Sequence, residues 1–324
     1  MLGFKFADRT FRFTCLERLN NDLRLTAAGA GLIPFNAKYR GQICSGGVEQ
    51  LTEALDRSLD RAGIDRGDVV VILDGRSVLR SVFPLPWGVV DDPKMLKEHA
   101  RWELARRCVG SGASENLEFE GVVRGRRGDQ AVVDVWVSPP GIMEGYEQVV
   151  EGVGCKVVKW DCDQWAITRL FEAYVDPDER GELAAVVHME AESLEIALVD
   201  DVGSVGVTSL RGDCEGPFRR TWDPDDSEEV AGEVVWWMQK LLERWLPVCR
   251  PAPAEVTRLM FTGSVEEPDR LLAALVRSLS IRVEIMDLHK IFSVDDTLMT
   301  SPLVQSNLGA FALCVGGALA RIGA

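Results

Sequence analysis

The chain has 324 residues, 46% of them apolar and 27% charged, a balance that suits a globular protein with room for two cores and excludes a disordered or fibrous one. A formal net charge of −15 disfavours nucleic acid and anionic lipid as direct ligands, because both need a basic surface. Eight scattered cysteines form no CxxC pair and read as reduced thiols of a cytosolic protein, and three distant histidines give no metal cluster.

The first residues, MLGFKFADRTF, carry charge and alternation and read as neither a signal peptide nor an anchor. Phe4 and Phe6 alternate with Lys5, and Phe11 and Phe13 flank Arg12, which predicts a hairpin turning at Ala7 to Thr10. LRLTAAGAGLIP supplies a third strand. Val48, Leu51, Leu55, Leu59 and Ala62 recur at helical spacing, and Gly63 closes that helix. DVVVILDG is the continuous apolar run of a strand covered on both faces.

From Val78 the pattern changes to strand, helix, strand, strand, which reads as an inserted βαββ subdomain over about residues 78–139. Its helix starts with Asp92 as N-cap and Pro93 at the first position, with Met95, Leu96, His99, Trp102 and Cys108 as an apolar stripe. Its last two strands join through a turn at GRRGD, residues 125–129. A helix over 141–153, the strand KVVKWD and a helix over 164–174 lead back to the main layers, with Asp161 and Asp163 read as caps of the last helix.

The charged stretch DPDERGE, 176–182, marks a boundary between a first domain, 1–177, and a second, 178–324. LAAVVHM, LEIALVD and VGSVGVTSL form a second meander. DPDDSEE, with Asp223, Asp225, Asp226, Glu228 and Glu229, lacks the ligand spacing of a calcium loop and reads as a solvated lead into a helix. That helix, in a helical part over about 212–250, carries Val230, Val234, Trp237, Leu241 and Trp245 on one face, with Trp236 pointing elsewhere. VTRLMFTG, a helix over 270–279 and a final strand IRVEIMD follow. The run from Leu308 to Ala320 spans 13 residues against the roughly 20 a membrane helix needs, and its small residues suit close packing back on the first domain. Each half opens with a meander and then alternates strands and helices, which argues an internal duplication.

This order, with SVLRSVFPLP before LKEHARWELARR, then VKWDCDQWAITRLF, EVVWWMQKLLERW and CVGGALAR, resembles PilM of type IV pilus assembly and the cytoplasmic part of the type II secretion protein GspL. The resemblance implies an α/β, actin-like (ribonuclease H-like) duplicated two-domain fold with the βαββ insertion. It also implies three nucleotide loops. Where the family has D-I-G-S-S this chain has Lys5, Phe6, Ala7, Asp8 and Arg9, then Thr10, and Arg12 stands for the following lysine. The second loop is His188, Met189, Glu190, Ala191 and Glu192; the third keeps Gly263 and has Ser264 after it. Glycines let backbone N–H groups approach phosphate, and an acid serves the metal. A glutamate at the glycine position and a lysine at the acid position therefore predict a dismantled site without cofactor, ATP and magnesium being disfavoured. His188 reads as a structural histidine, since no nucleophile motif accompanies it. The implied partner is a PilN-like bitopic inner-membrane protein whose short N-terminal cytoplasmic peptide enters a groove walled by Leu79, Val82, Phe83, Leu96, Trp102 and Leu104. A secretion ATPase is a further implied partner, the location being cytoplasmic and peripheral at the inner membrane. The rival expectation is an active actin-like ATP-binding or filament-forming protein.

Overall fold

The computed structural model describes residues 1–7, 9–20, 22–39, 42–75, 77–107, 118–138, 141–176, 179, 182–190, 193–200, 203–211, 224–249, 255–264 and 268–322. Strands β1 (Leu2–Phe6), β2 (Thr10–Leu19) and β3 (Asp22–Leu32) form the first meander. A two-residue-strand hairpin, β4 (Lys38–Tyr39) and β5 (Gln42–Ile43), leads to α1 (Gly47–Arg61) and β6 (Asp68–Leu73). The insertion holds β7 (Leu79–Pro86), α2 (Trp87–Val90), α3 (Pro93–Arg107), β8 (Glu118–Arg127) and β9 (Gln130–Ser138). Helix α4 (Ile142–Gly152), β10 (Lys156–Cys162) and α5 (Asp163–Tyr174) close the first half.

The second half runs through β11 (Leu183–Glu190), β12 (Ser193–Asp200), β13 (Gly203–Arg211), α6 (Ser227–Cys249), β14 (Val256–Gly263), α7 (Pro268–Ser278) and β15 (Arg282–Ile285). A short β16 (Ser293–Val294), α8 (Asp296–Met299), α9 (Pro302–Asn307), a 3-10 turn (Leu308–Phe311) and α10 (Ala312–Ile322) end it. The first sheet has the order β10-β6-β1-β2-β3-β16 and the second β13-β12-β11-β14-β15, each an antiparallel meander continued by parallel strands. The insertion has its own sheet, β7-β9-β8.

Alternation along β7 sends its side chains to two places. Phe83 and Leu85 join Ala100 of α3 and Val133 and Val135 of β9, while Val82 joins Val132 and the core of the second half. Asp92 does cap α3, accepting from Lys94 N at 2.8 Å. The expected α3 stripe is corrected: Ala100 is its buried contact, Met95 and Trp102 are exposed, His99 and Leu96 are half-buried, and Cys108 lies outside the described residues. The hairpin turn is tighter than the sequence suggests, because β8 runs through Arg127 and only Gly128 and Asp129 turn. On α6, Val230, Val234 and Leu241 are buried and Trp237 packs partly against them; Trp236 is exposed and Trp245 has its side chain outside the described residues. Residues 212–223, including Asp223, are likewise outside them. Asp225 and Glu228 pair with Arg270 and Arg277 of α7.

The two halves meet where α10 crosses α5, and glycine makes the crossing close. A Cβ at Gly316 would lie 2.3 Å from the Ala166 carbonyl oxygen, and one at Gly3 would lie 2.1 Å from that of Cys314. Substituting Gly316→Ala is therefore expected to destabilise the fold by about 1–3 kcal/mol in denaturant unfolding. Gly232→Ala on α6, where a Cβ meets nothing within 4 Å, should stabilise by up to about 1 kcal/mol. Equal effects would place the crossing elsewhere.

Candidate functional site

Parallel strands β1, β6 and β10 end at one edge of the first sheet, and β11 and β14 end facing them from the second. In open α/β sheets such carboxyl ends are where ligands are held. Here they carry Lys5 on β1, Asp74 after β6, Asp163 after β10, His188 and Glu190 on β11 and Gly263 on β14. His188 pairs in register with Glu195 of β12 and with Thr262 of β14, so these side chains share the sheet face that looks toward α5.

Opposite charges meet in this cleft, and the pair of Arg12 with Glu190 joins the two halves. Lys5 Nζ is ion-paired with Asp163 Oδ1, both side chains buried. The Gly75 N–H donates to Asp163 Oδ2 at 3.0 Å. Arg12 Nη1 of β2 reaches Glu190 Oε1 at 2.6 Å, and His188 Nε2 lies 3.3 Å from the same oxygen. Burial alone would lower the Lys5 ammonium, yet Asp163, Asp74 and Glu190 together hold it above its ordinary value. Burial would likewise raise the Glu190 carboxyl, but Arg12 and His188 bring it well below the usual carboxylate range. Asp163 is displaced upward, first by burial and then by repulsion from Asp74, against the pull of Lys5.

Asp74, Asp163 and Glu195 each offer an oxygen within 4.8 Å of the others, a spacing that suits a cation. The Lys5 ammonium pairs with one of these carboxylates, Asp163, and is attracted by a second, Asp74. Four carboxyl groups, those of Asp74, Asp163, Glu190 and Glu195, stand beside the cations of Lys5 and Arg12, so among these described residues negative charge outweighs positive, which opposes a phosphate.

The loops themselves have other partners. Ala7 N donates to Thr10 O at 2.9 Å, closing the first hairpin, and Lys38 Nζ donates to the carbonyls of Phe6 and Ala7 at 3.0 Å each. Arg9 is exposed, its carbonyl accepting from Ile33 N. Gly263 has φ +123 and no room for a Cβ, which would lie 1.9 Å from Met189 O. Ser264 N donates to Met189 O at 2.8 Å, the Ser264 hydroxyl accepts from Asn307, and Gly309 packs on the Gly263 backbone. Asp8, Ala191 and Glu192 lie outside the described residues.

Two expectations change. Neither Asp161 nor Asp163 caps α5, which has no side-chain cap: Asp163 takes Lys5, and Asp161 accepts from Cys162 N at 2.9 Å and pairs with Arg169. Sequence reasoning also missed Asp74 and Glu195, although an acid directly ending the buried run DVVVIL was a readable signal for the first. The groove residues do not form one wall either. Val82 and Phe83 are buried on opposite faces of β7, Leu96 is half-buried, Leu79 and Trp102 are exposed, the latter at 59%, and the Leu104 side chain is outside the described residues.

Glu190 makes stability depend on pH with a definite sign. Its folded value is depressed from 4.5, so its contribution is present above that pH and fades as pH falls. Between about pH 6 and about pH 3 the melting temperature should fall less for Glu190→Gln than for the wild type. Parallel curves would remove the Arg12–Glu190 pair from the balance.

No family model and no curated protein matches the chain. Among solved structures, the PilM-PilN type IV pilus biogenesis complex aligns over 98% of this chain and 97% of that one, at 18% identity and a TM-score of 0.76. The cytoplasmic domain of EpsL, an inner membrane component of the type II secretion system of Vibrio cholerae, aligns over 99% and 94%, at 13% identity and a TM-score of 0.50. No helix among the described residues is long and apolar enough to cross a membrane. The chain has the actin-like fold in its PilM-like form, with the EpsL cytoplasmic domain as a more distant structural relative.

Proposed function

We propose that the chain is a cytoplasmic scaffold of a type IV pilus or type II secretion assembly platform, peripheral at the inner membrane through a PilN-like partner, and that it does not turn over ATP. The observation that carries the second half of this reading is the pairing of Arg12 with Glu190 and of Lys5 with Asp163. These ion pairs occupy the converging strand ends with the chain's own charges, and a triphosphate entering there would have to displace them and face Asp74 and Glu195 as well.

The scaffold half rests on the PilM-like form of the fold and on exposed apolar side chains of the insertion, Leu79, Met95 and Trp102, none of which the core requires. A short partner peptide with apolar and basic residues would bury them and complement the acidic host. Calorimetric titration with Mg-ATP should give no saturable heat at micromolar ligand, and no phosphate release. Micromolar binding with turnover would overturn the pseudo-ATPase reading and favour the filament-forming rival. Trp102→Glu should abolish capture of a PilN-like cytoplasmic peptide without lowering the melting temperature, whereas Val82→Asp should unfold the contact between insertion and second half. Full peptide binding by folded Trp102→Glu would move the groove elsewhere.

A further inference from the structure

Strand β3 lies at the opposite edge of the first sheet from β6 and β10, between which the insertion leaves, and most of its outer side has no partner strand. Strand β16 pairs with Arg24 and Leu25 alone, and Asp295 N donates to Leu25 O just beyond it. The hydrogen-bond pattern fixes which groups point outward past that point. Ala7 N bonds Thr10 O, so Thr10, Arg12 and Thr14 turn their amides toward β1 and Phe11 and Phe13 turn theirs toward Gly31 and Gly29. Ile33 N bonding Arg9 O keeps the same phase at the strand's end. The main-chain groups of Ala28, Ala30 and Leu32 therefore face away from the sheet, and among the described residues they have no hydrogen-bond partner.

Native sheets guard such edges with charge, proline or a short run. Here TAAGAGL carries none of these: residues 26–32 hold no charged side chain, and their small side chains present little obstruction. Exposure rises from 9% at Ala28 to 75% at Leu32, and Phe35, in the turn that follows, is 90% exposed. That turn is fastened on both sides, by Ile33 N to Arg9 O at 2.8 Å, Ala37 N to Pro34 O at 3.0 Å and Cys44 N to Ala37 O at 2.9 Å. An exposed aromatic ring on a fastened turn beside unpaired strand amides offers an anchor to a partner.

We propose that the free edge of β3 docks an extended segment of a partner protein, which adds as a strand beside Ala28–Leu32 and covers Leu32 and Phe35 with an apolar side chain. The main-chain groups require an extended strand, and the net charge of −15 selects a cationic one, since a second copy of the chain would bring the same negative charge to the contact. This surface does not depend on the insertion or on the state of the cleft.

The test uses fluorescence anisotropy of the full chain with three labelled synthetic peptides: alternating valine and lysine, the same peptide N-methylated on one edge, and alternating valine and glutamate. The valine-lysine peptide should bind and the other two should not. Ala30→Pro, which removes one outward N–H in a position where an edge strand tolerates proline, should weaken binding by at least about tenfold, as should Phe35→Ser. Both variants should keep the wild-type melting temperature. Equal binding of the N-methylated peptide would reduce the contact to charge attraction and overturn the proposal, as would no binding at all. A dimer of the chain alone that Ala30→Pro dissociates would assign the edge to a second copy instead.

Discussion

Glu190 can be buried at the meeting of the two halves because Arg12 reaches it from the other side. A carboxylate without that partner would be an uncompensated charge in a poorly solvated place, a defect of about 3–5 kcal/mol when one member of a buried pair is removed. The same constraint acts at Lys5, whose ammonium is tolerable in the core only beside Asp163 and Asp74. Both pairs fill the cleft with charges of the chain itself, and that of Arg12 with Glu190 ties the two halves together.

This bears on how the cleft can respond to a ligand. A cleft closed by a ligand opens when the ligand leaves, so its conformation follows concentration. A cleft bridged by side chains keeps its closing energy at every ligand concentration. The glycine-mediated approach of α10 to α5 acts in the same direction, because Gly316 against the Ala166 carbonyl, with Arg169 Nε donating to Gly316 O at 2.8 Å, leaves little freedom for the helices to slide. The insertion adds a third tie: Val82 and Val132 bury themselves in the second half's core, although their strands start from the first. A fold tied in this way presents to any partner surfaces that are already in place.

Strands buried on both faces were the most legible elements. VTRLMFTG occupies the residues expected of it because a continuous apolar run flanked by turns has few other fates. What the sequence concealed were choices decided by distant residues. Asp163 looks like a helix cap when only its neighbours are considered, and Lys5, which claims it, lies 158 positions away. The apparent stripe on α3 misled for a related reason: the helix has apolar residues on several sides, and the small Ala100 wins the core side because β7 and β9 already fill the space with Phe83, Val133 and Val135. Strand β16 was invisible because two residues carry no period. Glu195 gave no sign at all, an ordinary acid in a strand until its register beside His188 is known.

Alternation along β2 lets a single strand serve both the cleft and the far edge of the sheet. Its odd positions lay the rings of Phe11 and Phe13 over Gly31 and Gly29, where a Cβ on either glycine would come within 2.3 Å of the ring, so bulk missing from β3 is supplied by its neighbour. Its even position, Arg12, crosses to Glu190. Shifting β2 by one residue would therefore break the interlobe ion pair and empty the space over the glycines at the same time, which pins the register far more firmly than either feature alone. The turn beyond β3 shares this fixation, since Lys38 binds the carbonyls of Phe6 and Ala7 at the end of β1. An edge made of alanine and glycine, which would ordinarily be a weak and slippery strand, is held in register by the rings of Phe11 and Phe13 packed over its glycines.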